Sequence, residues 1–130
     1  GATRIIHRAD AEAMPDAELI VDGLKTISLA PQFDLIPVPG HTAGSCALLY
    51  NHRYLFTGDH LWWNPDTRSL EAPRRLVWRS RAMVQSIEKL LNYRFEWVLA
   101  GHGDRVKLPS DEMKAHLRVL VDQRRSALAS

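Results

Sequence analysis

The order of elements along this chain predicts an α+β domain. Three observations carry that prediction. Short apolar runs, broken by turn residues, fill the stretch from Ile5 to Thr57. Apolar residues at three- and four-residue steps appear only later, over about 75–93 and again after Ser110. A further strand-like run, Trp97-Val98-Leu99-Ala100, lies between those two helical stretches. At 130 residues the chain fits one domain.

Ile5-Ile6-His7 reads as a short strand, and Asp10 to Met14 as a helical turn ended by Pro15-Asp16. Residues 18–22 and 25–29 read as two strands of a hairpin turned at Asp22-Gly23. Residues 33–38 form an apolar strand that stops at Pro39-Gly40. Residues 45–50 and 54–57 are strands joined by a tight turn at Asn51-His52. Residues 61–73 carry Trp62-Trp63, Asn64-Pro65-Asp66 and Pro73, which read as a loop. Over 75–93, Val77, Val84, Ile87 and Leu91 recur at helical spacing, with Met83 and Leu90 beside them. Ser110 is an N-cap candidate, with Asp111 and Glu112 in the first turn, where the helix dipole favours acids. Met113, Leu117, Leu120 and Val121 give the last helix an apolar stripe, and Arg124 and Arg125 suit its end.

Composition narrows the function classes. A net charge of +2 and a pI of about 8.9 are weak for a dedicated nucleic-acid binder. Cys46 is the single cysteine, so neither an internal disulfide nor a cysteine-based zinc knuckle can form. A reducing, cytoplasmic setting fits that usage. No apolar run approaches the ~20 residues of a membrane span.

Three motifs carry the chemistry. They are Pro39-Gly40-His41-Thr42-Ala43-Gly44-Ser45, Phe56-Thr57-Gly58-Asp59-His60 and Ala100-Gly101-His102-Gly103-Asp104. Each sets a His or Asp next to glycine, just past an apolar strand. A loop at a strand end can aim such a side chain at a metal, and imidazole and carboxylate are zinc-type ligands. A carboxylate can also bridge two metals roughly 3.5–4 Å apart. Each motif alone is commonplace. The ordered set, with a helix between the second and third, is far more specific.

Those three motifs resemble the later half of the metallo-β-lactamase superfamily, and most closely its glyoxalase II-like branch. The resemblance runs from Ile5 to the last helix. It implies half of a four-layer αββα sandwich: a mixed, mostly antiparallel sheet with two long helices on one face. It implies that His41 is a ligand of a first metal, Asp59 a bridging carboxylate and His102 a ligand of a second metal. Asp59 and His60 would then be the catalytic candidates. The metal would be zinc, with iron and manganese suited to the same nitrogen and oxygen donors. Ala100 replaces a proline that often precedes Gly-His-Gly in the family. The family's main signature, His-x-His-x-Asp-His, is absent from these 130 residues. The chain is therefore expected to be a carboxy-terminal half, with weak or partial metal binding and little hydrolysis on its own. By resemblance, the chemistry is thioester or ester hydrolysis of a small molecule.

Other residues have plainer readings. Trp62 and Trp63 either wall a cleft or divide between core and surface. Asp104 either supports His102 or caps a loop. Cys46 reads as a small core residue, and His7, His52 and His116 as surface or satisfied histidines. Arg68, Arg74, Arg75, Arg79 and Arg81 read as a solvated helix face, with an anionic partner as the alternative. Two rivals to the hydrolase stay open: a half-fold that self-associates through an exposed sheet, and a nucleic-acid binder using the arginine run. The expected partner is a second copy or a complementary amino-terminal half, because monomers rarely leave a large apolar face open.

Overall fold

The computed structural model describes residues 3–75 and 77–129. Strand β1 (Ile5–His7) leads into a 3₁₀ turn at Arg8–Ala13 and then β2 (Leu19–Val21). Strands β3 (Ile27–Ala30), β4 (Phe33–Pro37), β5 (Cys46–Tyr50) and β6 (Tyr54–Gly58) follow as an antiparallel meander. Next come β7 (Trp62–Asn64), β8 (Ser69–Glu71), helix α1 (Ser80–Leu90), β9 (Trp97–Ala100), β10 (Val106–Lys107) and helix α2 (Ser110–Ala129). The main sheet has six strands in the order β10-β9-β6-β5-β4-β3. Only β6 and β9 run parallel, as the α1 crossover between them requires. Asn51 and His52 both take positive φ, the geometry of a tight hairpin turn.

Period-two alternation puts two apolar sets on opposite faces of the sheet. Leu49, Leu55 and Val98 pair in register on one face, with Ile36 and Ala47 beside them. There they form one core with Met83, Val84, Ile87 and Leu90 of α1 and Met113, Leu117, Leu120 and Val121 of α2. On the other face, Leu35, Leu48, Phe56 and Leu99 pair across four strands. Phe33, Tyr50, Tyr54 and Trp97 make a parallel aromatic row, with successive ring centroids 4.6, 6.0 and 6.3 Å apart. Among the described residues no helix lies over this second face; Phe56 is 42% exposed and Tyr50 37%.

Several elements differ from the sequence reading. Strands β2 and β3 do not form a hairpin: β2 pairs in parallel with β1, and β3 joins the main sheet. The turn residues Asp22-Gly23 serve a crossing between sheets instead. The expected loop 61–73 holds the hairpin β7–β8, turned where the Asp66 amide donates to Asn64 Oδ1 at 2.9 Å. Helix α1 starts at Ser80, later than expected. Before it, the Trp78 and Arg79 amides donate to the carbonyls of His41 and Gly40, both at 3.2 Å, and Arg79 is extended. Leu76, within the expected helix, lies outside the described residues. Ser110 is the first residue of α2 and not its cap: the Met113 amide donates to the Pro109 carbonyl at 2.9 Å. Strand β10 was not expected. Among the described residues, no helix is long and apolar enough to cross a membrane.

Candidate metal centre

Strand direction brings the three motif loops to one edge of the sheet. The β4–β5 loop carries His41, and β6 and β9 both end on the edge where β5 begins. The parallel β6–β9 register sets Gly58 beside Ala100, and the Gly101 amide donates to the Gly58 carbonyl at 2.8 Å. Asp59 and His102, one residue past those glycines, therefore meet: Asp59 Oδ1 accepts from His102 Nδ1. Both groups are exposed, His102 strongly so. That hydrogen bond, followed by the carboxylate charge, raises the His102 pKa above its ordinary value.

The His41 loop is tightly built. Val38 N–H donates to Ser45 O at 2.8 Å, and Thr42 N–H to Ser45 Oγ at 2.9 Å. Gly40 lets this loop pass α1 closely, since a Cβ there would lie 2.6 Å from Met83 Cα. From the 3₁₀ turn, the Asp10 carboxylate accepts from Thr42 Oγ1 and from the Gly44 amide, the latter at 3.0 Å. Sequence reasoning missed Asp10, because nothing local marks a clasp that spans more than thirty residues.

His41, Asp59 and His102 line one cleft of about 540 Å³, together with Trp62, Glu71, Arg74 and Arg75. Trp62 packs over the His102 turn so closely that a Cβ on Gly103 would lie 2.7 Å from its indole. Trp63 turns inward against the core and meets His116 edge-on at 5.1 Å. His60, sequence neighbour of Asp59, does not line the cleft. It is buried beneath the turn, where Thr57 Oγ1 donates to Leu61 O at 2.6 Å. Burial, and then the charge of His41, lowers its pKa to about 4, so its ring is neutral at pH 7. Both His60 ring nitrogens, and His41 Nδ1, are buried without a hydrogen-bond partner among the described residues.

Cys46 is half-buried and its thiol donates to Gly44 O; burial and then the Asp10 charge push it up to about 11. His7 is buried and satisfied, with Nε2 on Gly23 O and Nδ1 accepting from Ala9 N–H. Asp104 joins through its backbone, its carbonyl accepting from Trp63 N–H at 2.9 Å.

The donor chemistry suits a divalent metal: the unpartnered His41 Nδ1 and the bonded Asp59–His102 pair belong to residues lining one cleft. The donor count falls short. Among the described residues, no group of three or more His, Cys, Asp or Glu side chains is close enough to hold an ion. Structural and catalytic zinc sites take three or four protein ligands.

No protein-family model and no curated protein sequence matches this chain. Solved structures do. The chain is similar to the DIM-1 metallo-β-lactamase, with 18% identity and a TM-score of 0.56, over 82% of this chain and 49% of that one. An archaeal metallo-β-lactamase superfamily protein from Sulfolobus tokodaii aligns with 20% identity and a TM-score of 0.50, over 77% and 39%. An N-acyl homoserine lactone hydrolase with product at its catalytic metal centre gives 18% and 0.52, over 76% and 46%. The chain has a metallo-β-lactamase-like fold. It spans about half the length of the structures it matches.

Proposed function

We propose that this chain is the carboxy-terminal half of a metal-dependent hydrolase of the glyoxalase II-like branch, acting on a thioester or ester of a small molecule in the cytoplasm. The observation that carries this reading is the convergence of His41, Asp59 and His102, far apart in sequence, on one cleft. In this reading His41, Asp59 and His102 would hold the metal, and zinc is the expected ion, with iron or manganese as substitutes. A metal held there would supply a water ionised near neutral pH. Asp59 would orient that water, and Trp62 would wall the substrate. The buried neutral His60 would act through its neighbours, since it lies outside the cleft. Further ligands would come from an amino-terminal half, and the chain alone would bind metal weakly and turn over little substrate.

The open sheet face supports the same reading. Two apolar rows, Leu48-Phe56-Leu99 and Phe33-Tyr50-Tyr54-Trp97, stand where a second sheet would pack, in a chain half as long as its structural relatives. That face also favours one rival: a non-catalytic half-fold that pairs with a second copy of itself.

The coding sequence upstream of Gly1 decides between them. It should encode a His-x-His-x-Asp-His cluster, and the extended zinc-loaded protein should hydrolyse an acyl thioester. Asp59→Asn should then reduce the rate by at least about a hundredfold, as for loss of a group acting in the transition state. An upstream sequence without that cluster, or an inactive extended protein, would leave the self-associating module.

A further inference from the structure

A second cavity lies on the helix side of the sheet, away from the open face. It is about 450 Å³ in volume and sits between the start of α1 and the last two turns of α2. Arg74, Ser80, Val84, Gln123, Arg124 and Leu128 line it. Two features set it apart from an ordinary surface groove.

The first is an excess of positive charge. Arg124 is half-buried, and its guanidinium donates to the carbonyls of Ala72 and Pro73. Those are dipoles and not charges. Its Nε is buried with no acceptor among the described residues. Arg74 is near enough for the two like charges to oppose each other, an effect larger than the opposing attraction of Glu71, and neither arginine forms an ion pair among the described residues. Removing a cation from water without a counter-charge is costly, so buried charges are normally paired. The start of α1 adds to the excess. It has no side-chain cap and no acidic residue in its first turn, and its flanking residue is Arg79. That end of a helix favours anions.

The second feature is the apolar wall. Met83 and Val84 are buried along one side, and Leu128 is part-exposed on the other. A free inorganic anion would leave that wall unused.

We infer that this cavity binds an amphipathic carboxylate, with its head between Arg74 and Arg124 and its apolar body along Val84 and Leu128. Arg74 also lines the metal-side cleft, so occupancy here would hold one wall of that cleft. The inference does not rest on the hydrolase reading.

Amide NMR titration of the metal-free 130-residue chain with hexanoate, and separately with hexanol, tests it. Hexanoate should bind at least about tenfold tighter than hexanol, as charge-assisted hydrogen bonds are roughly twice as strong as neutral ones. The moving amides should include Val84, Gln123 and Leu128. Arg74→Gln, on the exposed side, should weaken hexanoate binding at least threefold and leave hexanol unchanged. Leu128→Glu should abolish hexanoate binding, and His41→Ala should change nothing. Equal affinity for acid and alcohol, insensitivity to Arg74→Gln, or shifts confined to Trp62 and Gly103 of the cleft would each overturn the inference.

Discussion

The two faces of the six-stranded sheet are built from comparable apolar side chains and meet different surroundings. On the helix side, Leu49, Leu55 and Val98 are buried to 1% exposure or less beneath α1 and α2. On the other side, Phe56 and Tyr50, in register with the same strands, remain open to water. A sheet meant to face solvent normally alternates apolar-in with polar-out. This one is apolar on both faces, as a sheet is when it is to be covered twice. The difference teaches that a strand's apolar pattern sets which residues can be buried, while the elements packed on each face decide which of them are.

Substitution separates the faces most sharply in stability. Leu117→Ala, beneath the helix side, should cost about 2–5 kcal/mol by denaturant unfolding, the range for large-to-small changes in a packed core. Phe56→Ala on the open face should cost within about 0.5 kcal/mol, as for surface sites. A loss at Phe56 equal to that at Leu117 would mean that a second copy covers the face in solution. Phe56→Lys sharpens the point: if the chain self-associates there, light scattering should show this variant at the 14.8 kDa monomer mass. A smaller effect concerns the loops at the strand tips. Asp10→Asn weakens two hydrogen bonds to a charged acceptor and should cost about 1–3 kcal/mol, with amide exchange rising first at Thr42 and Gly44.

The subtlest effect is on titration. In the metal-free protein, His102 should titrate above the ordinary histidine value of ~6.5, and Asp59→Asn should return it there by NMR. Because the folded value is raised, the pair's contribution is present below the unfolded value and lost as pH rises through the folded one. It should be small, since His102 is fully exposed.

Much of the sheet was legible in the sequence because its strands β4, β5 and β6 are local, with turn chemistry at Asn51-His52 that marks the register. The two helix stripes were legible for the same reason. What failed was non-local. Asp22-Gly23 carries a hairpin signal, yet β2 finds β1 across the 3₁₀ turn and β3 finds β4. Residues 77–79 have a helical pattern, but the Trp78 and Arg79 amides serve the carbonyls of the His41 loop. The hairpin β7–β8 was hidden by Pro65 and Pro73, residues that read as breakers. At the site, the glycine-flanked His and Asp were visible, while the Asp10 clasp and the burial of His60 depend on distant packing that no local pattern encodes.

The most direct measurement is a calorimetric zinc titration of the 130-residue chain beside its His41→Ala, Asp59→Asn and His102→Ala variants. Weak binding, poorer than micromolar and diminished further by all three substitutions, is the predicted result. Micromolar or tighter binding with retained thioester turnover, or binding indifferent to all three changes, would contradict a half-site at the strand tips.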